Sequence, residues 1–328
     1  MGFMDARPSA PPTADTGPDG WTRLPAAPCA HGACPVWRGL EDRLYWLDTA
    51  EQRLWRLHVP SGHSEWQALP GAPGALAPCR RGGWLIALRD GIYHLAGWGL
   101  PLERLVDAPY DTRRLHVSTA TCDPWGRLWL ATSVDARDRA EGAVYCLRAR
   151  DRQRPELTLV QTGAVTSNGL AWSPDGTRLY WADPHRHTID TLPLSTAGHW
   201  PPTLGARLLL RRFQPRPAGT PAADTAAHAY GGRPAGAAID SVGRYWVAME
   251  EGGRVVCLDE RGHIVTEWSL PARCPTALCF GGPDLRTLFV TTARRHRSAA
   301  ELAQFPDSGS VWSRRVSVPG RPAPLYWD

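Results

Sequence analysis

The sequence predicts an all-β fold: a six-bladed β-propeller with four-stranded antiparallel blades. Three observations predict it. A short apolar motif recurs six times, turns carrying Asp and Gly sit at fixed offsets before it, and helical periodicity is weak almost everywhere.

The motif opens with Arg or a small residue and continues as an apolar strand. Its copies are Arg43-Leu44-Tyr45-Trp46-Leu47, Gly83-Trp84-Leu85-Ile86-Ala87, Arg127-Leu128-Trp129-Leu130-Ala131, Arg178-Leu179-Tyr180-Trp181-Ala182, Arg244-Tyr245-Trp246-Val247-Ala248 and Thr287-Leu288-Phe289-Val290-Thr291. They lie roughly 40 to 65 residues apart, the period of a propeller blade. Second strands follow at hairpin distance, as at Arg53–Leu57, Gly142–Cys146 and Arg254–Leu258.

The turns before the motif include Asp123-Pro124-Trp125-Gly126, Asp175-Gly176 and Asp240-Ser241-Val242-Gly243. Asp opens such a turn by bonding the backbone ahead of it, and Gly supplies the positive φ. These aspartates read as turn formers, not as acids or ligands. The one helix predicted is short, Ser298 to Gln304.

Residues 1–20, rich in Pro, Ala, Asp and Thr, read as a disordered lead, and 21–328 as a single propeller domain. Residues 196–233, rich in Pro, Ala, Gly and Thr, read as a long excursion from one propeller face, of the kind that covers a site.

Composition narrows the function classes. The chain carries +5 net charge with no lysine at all, so Schiff-base chemistry through lysine is excluded. The arginines are spread along the chain, which argues against a nucleic-acid partner. No run of eighteen apolar residues predicts a membrane helix, and Met1–Asp5 does not start a secretory signal. Eight cysteines without any C-x-x-C spacing read as reduced, buried thiols of a cytoplasmic protein.

Several segments, in order, resemble the SMP-30/gluconolactonase/luciferin-regenerating family. They are Cys34-Pro35-Val36-Trp37, Cys122-Asp123-Pro124-Trp125-Gly126-Arg127, Ser167-Asn168-Gly169-Leu170-Ala171-Trp172-Ser173-Pro174-Asp175-Gly176, Gly232-Arg233-Pro234-Ala235-Gly236, Cys279-Phe280-Gly281-Gly282 and Gly309 to Pro324. The resemblance implies a divalent cation in the central cavity. A Glu before the first-strand Pro, the Asn of S-N-G and the Asp of P-D-G hold it. The ion polarises a lactone carbonyl and activates water, while an Arg-x-Asn-Asp-Gly stretch holds the substrate.

This chain departs from that pattern. Ala33 stands at the Glu position and Ala235 at the Asp position, and the substrate stretch reads His116-Val117-Ser118-Thr119-Ala120. Asn168 alone is retained, the only asparagine in the chain. A hard cation wants six to eight oxygens with carboxylates among them. No cofactor is therefore expected, beyond weak calcium or zinc binding.

The ligand-binding candidates are Asn168, His116, Ser118 and Tyr230. The catalytic candidates are His116, as a base, and Cys34, as a nucleophile. Cys34, His31 and His116 together are a conceivable soft-metal set. Asp135, Glu141 and Glu250-Glu251 are further carboxylates, but their strand-end contexts suggest the rim. His185 and His187 fall in a polar hairpin. Two readings follow. The first is a non-catalytic or vestigial propeller that binds a small molecule, such as a sugar lactone or sugar acid. The second is a lactone or ester hydrolase working through a rearranged or metal-independent cavity site.

Overall fold

The computed structural model describes residues 20–148, 155–195, 200–219 and 230–328. The predicted disordered lead, apart from Gly20, lies outside the described residues, as do parts of the 196–233 stretch.

Six sheets form, one after another along the chain. Their inner strands are Gly32–Arg38, Pro73–Pro78, Leu115–Cys122, Asn168–Trp172, Arg233–Ile239 and Pro275–Gly281. Each inner strand packs beside the next, and the sixth packs beside the first, so the ring closes around a central channel. All six copies of the sequence motif become the second strand of a blade: Arg43–Asp48, Trp84–Leu88, Leu128–Val134, Arg178–Asp183, Tyr245–Glu250 and Thr287–Thr292. These strands are covered on both faces by neighbouring blades, which is why their residues are apolar in unbroken runs rather than alternation. Trp46 and Trp181 sit at equivalent places in two of them, and both, like Trp129 one position earlier in its own copy, are fully buried.

Blade six closes the ring with both ends of the described chain. Trp312–Arg315 is its third strand, and the outermost is Thr22–Arg23, paired as Thr22 with Ser313 and Arg23 with Trp312. Blade four corrects one expectation. Leu208–Arg212, inside the stretch read as an excursion, pairs with Thr188–Ser195 and serves as that blade's outer strand. Leu208 and Leu209 face solvent, so the segment lacks the alternation that marks a half-buried strand. The predicted helix forms at Ala299–Gln304, with Ser298 Oγ accepting from Glu301 N. Among the described residues, no helix is long and apolar enough to cross a membrane.

The Asp turns behave as predicted. Asp123 Oδ1 accepts from the amides of Trp125 and Arg127, and Oδ2 accepts from Trp129 Nε1 at 2.8 Å. Asp240 repeats this with Val242, Arg244 and Trp246 Nε1. One buried carboxylate thus ties the turn to the tryptophan of the strand it feeds. Asp123→Ala strands the Trp129 indole and the Arg127 guanidinium together. The expected cost is about 3–5 kcal/mol in a denaturant titration, the range for removing one partner of a buried ionic network.

Candidate functional site

Inner strands start at one end of the channel, here the upper end. The hairpins between second and third strands lie at that end too. At one depth below it, every inner strand bulges. Pairing with the second strand shifts between Ala33 and Val36, Pro73 and Ala75, Val117 and Thr119, Asn168 and Ala171, Pro234 and Ala237, and Pro275 and Ala277. Bulges bend a strand and re-aim its side chains, and they gather at barrel rims and next to sites.

Neighbouring strands touch at this waist. Cys34 Sγ donates to Gly74 O at 3.5 Å, Ser118 Oγ donates to Ser167 O at 2.7 Å, and Thr276 Oγ1 donates to Gly32 O at 2.5 Å. A methyl on Gly74 would stand 1.8 Å from Val117 O, so only glycine allows that approach.

Ala33, Asn168 and Ala235, the positions at which the sequence resemblance implies cation ligands, all lie at the bulges of this waist. Asn168 Oδ1 accepts from Gly169 N at 2.9 Å, in the manner of an Asn-Gly turn. Ser118 Oγ is shared with Ser133 Oγ and Ser167 O. Ala235 is 1% exposed and packs with Trp246, Ala248 and Leu278 in the apolar layer between blades five and six. This set offers a cation one already engaged amide oxygen and a hydroxyl, with no carboxylate. It does not fit a hard divalent ion.

The candidates separate in the structure. Burial pushes the Cys34 thiol up to about 12, which keeps it a neutral donor to Gly74 and not a nucleophile. Tyr230 is buried and its hydroxyl meets His187 Nε2 at 2.6 Å, so that group braces the returning end of the 196–233 stretch. His116 remains. Its Nδ1 lies 2.6 Å from Asp135 Oδ1, and Arg89 bonds the other carboxylate oxygen of Asp135. Burial lowers the imidazole below its usual range, against the opposing pull of Asp135. Burial works to raise Asp135, but hydrogen bonds from Arg89 and His116 hold it below the usual carboxylate range.

Sequence reasoning set Asp135 and Glu250 aside as rim residues. They are on the rim, and the rim is the upper opening. Glu250 Oε2 accepts from Arg233 Nε at 2.9 Å, and burial, which would raise its carboxyl, is overcome by that guanidinium. Glu251 is held by Arg216, Arg233 and Arg297. Arg137 acts on both His116 and Glu250, while Arg233 and Arg295 act on His31. Blades one, three, five and six therefore share one electrostatic neighbourhood. Arg137 and Arg295 are exposed, and no carboxylate among the described residues pairs with either. His187 has positive φ, as do Gln52 and Gly253 at the same hairpin position of blades one and five, so that strain belongs to the turn and not to chemistry.

The SMP-30/Gluconolactonase/LRE-like region model matches residues 31–294. The 6-deoxy-6-sulfogluconolactonase of Pseudomonas putida is 41% identical over 300 residues, covering 91% of this chain and 96% of that protein. The pentonolactonase of Haloferax volcanii is 30% identical over 307 residues, covering 92% and 96%. Among solved structures, the calcium-binding regucalcin of Agrobacterium tumefaciens superposes with a TM-score of 0.80 at 25% identity, covering 93% of this chain and 96% of that one.

Proposed function

Because the chain belongs to the SMP-30/Gluconolactonase/LRE-like family, we propose that it is a working lactone hydrolase whose base is His116 and not a metal-bound water. The observation that carries this is the His116–Asp135 pair at the channel opening. Asp135 accepts at Nδ1, which fixes the tautomer and leaves Nε2 to take a proton from water. That water attacks the lactone carbonyl. The new C–O bond forms, the bond from carbonyl carbon to ring oxygen breaks, and the proton passes to the ring oxygen, giving the open hydroxy acid. Arg137, whose charge acts on His116, is the cation assigned to the developing oxyanion, because Arg89 is already bonded to Asp135.

The substrate class follows from charge. Arg137 and Arg295 are cations without carboxylate partners at a site built from Arg233, Arg89 and two histidines. Such a rim favours a sugar lactone bearing a fixed anion, and the 41% relative named for a sulfonated gluconolactone agrees. All eight cysteines are free thiols, which suits a reducing compartment, and we place the protein in the cytoplasm.

The test compares ring opening of a hexonolactone carrying a sulfonate at C6 with that of the unsubstituted lactone. A preference of roughly tenfold or more in kcat/KM for the sulfonate is expected, about one charge-assisted contact's worth. Arg137→Gln with Arg295→Gln should remove the preference. Equal rates on both substrates contradict the anionic class; no hydrolysis of either supports a purely binding propeller.

The pH profile checks the base. Because His116 is lowered, its neutral form persists below the ordinary value of about 6.5. Then kcat/KM is flat through neutrality and falls only as pH drops through the lowered value. Asp135→Asn removes a group that raises His116, so the acid limb should move to still lower pH while the plateau drops.

A further inference from the structure

At the end of the channel opposite His116, the chain lays a strap across the propeller. Gly320 bridges Asp240 of blade five, Tyr326 bridges Cys79 of blade two, and Trp327 N donates to Gly126 O of blade three at 2.9 Å. The strap and the lower inner strands line an open cavity of about 720 Å³, mostly with apolar residues such as Leu76, Leu170, Leu278 and Pro322. Asp328 lies at the far side of this crossing, and one of its carboxylate oxygens accepts from Arg81 N at 3.1 Å.

Three unlike donors meet there. Cys79 Sγ, one ring nitrogen of His94 and a carboxylate oxygen of Asp328 all lie within 4.8 Å of one another. Cys79 follows the inner strand of blade two and is 2% exposed. His94 comes from the third strand of the same blade, where it pairs with Leu85 and Glu103. Two orphaned polar atoms accompany them. His94 Nε2 is buried without a hydrogen-bond partner, and so is the Tyr326 hydroxyl. Tyr326 lies in the field of both Cys79 and Asp328. A buried imidazole nitrogen without a partner is costly, and buried polar atoms are seldom left so. The arrangement makes sense if something not yet present satisfies it.

We propose that Cys79, His94 and Asp328 form a zinc site that pins the strap to blade two. Sulfur, nitrogen and oxygen from three residues match the donors zinc takes, with water completing a tetrahedron. Bonds of about 2.0–2.3 Å place tetrahedral ligands roughly 3.3–3.8 Å apart. Closing from the present spacing needs a movement of about 1 Å, which His94 and Asp328, neither fully buried, can make by rotamer adjustment. Burial now pushes the Cys79 thiol up to about 12. Zinc binding displaces that proton, so a proton is released per ion bound. Arg38, which also acts on Cys79, opposes the cation but is paired with Glu41. The site is independent of the lactonase reading, since it lies at the other end of the channel.

The experiment uses the full chain. Apo protein is titrated with cobalt(II), read by the thiolate-to-cobalt charge-transfer band in the near ultraviolet, and then with zinc(II), read by displacement and by melting temperature. One equivalent is expected, with the charge-transfer band present and a higher melting temperature in zinc. Cys79→Ser should abolish the band. Because that change is buried, Asp328→Asn and His94→Gln are made as well, and each should weaken zinc at least tenfold while leaving lactone hydrolysis at its parent rate. Absence of the band in folded parent protein overturns the site. Unchanged affinity in both Asp328→Asn and His94→Gln also overturns it, because the ion would then sit elsewhere.

Discussion

Replacing His116 with alanine is expected to lower kcat for lactone hydrolysis by roughly 10²–10⁴-fold, the usual contribution of a positioned general base. KM should move little, because the imidazole acts on water rather than holding the sugar. The fold should survive. His116 is half exposed at a strand start, and its loss frees Asp135 to keep its bond from Arg89. Asp135→Asn should cost about 10²-fold, since an amide can hold the ring in the wrong tautomer. Steady-state kinetics with a circular dichroism melt for each variant separates chemistry from folding. A His116→Ala enzyme within about threefold of the parent places the base elsewhere; Glu250, held by Arg233, is the next group to change.

Ala235→Asp alone should destabilise the protein by about 3–5 kcal/mol, because it puts a carboxylate into an apolar layer that is 1% exposed, with no cation beside it. In a chain of this length that is a fall of roughly 5–15 °C in melting temperature. Ala33→Glu together with Ala235→Asp returns carboxylates to the two positions at which the family resemblance implies cation ligands, at the same bulge depth as Asn168. Calcium should then recover most of the loss, since an ion that binds only the folded state stabilises it by mass action. The parent, melted with and without calcium, should show no shift that Asn168→Ala removes. A calcium shift in the parent that Asn168→Ala abolishes would mean that backbone oxygens at the waist complete a site the side chains do not.

Much of the fold was legible because its signals are local. Arg127-Leu128-Trp129-Leu130-Ala131 carries its strand in its own apolar run, and Asp123 and Gly126 mark the turn that feeds it. The parts that were not legible depend on distant partners. Thr22–Arg23 is a strand only because blade six lacks an outer strand, and two polar residues carry no periodicity. Leu208–Arg212 is likewise recruited by the edge of Thr188–Ser195.

The site divides the same way. Ala33 and Ala235 stand out in the sequence against the family pattern, and His116 is a candidate there because it takes the place of an arginine. Its pairing with Asp135 could not be read, because nineteen residues and a hairpin separate them. Cys79 and His94 share blade two, but Asp328 is distant in the chain, and only the strap brings it to them. Cys34 shows the converse. It stands beside the cation position in sequence, but the bulge turns its sulfur into a donor to the next blade.

The central claim, hydrolysis without a metal at the waist, is tested most directly by lactone ring opening in protein stripped of metals and assayed in chelator well below its melting temperature. The account predicts the parent rate within about twofold, against the loss of several kcal/mol of transition-state stabilisation that removal of a catalytic Lewis acid brings. Activity that disappears in chelator and returns with calcium, while Asn168→Ala prevents the return, would contradict it.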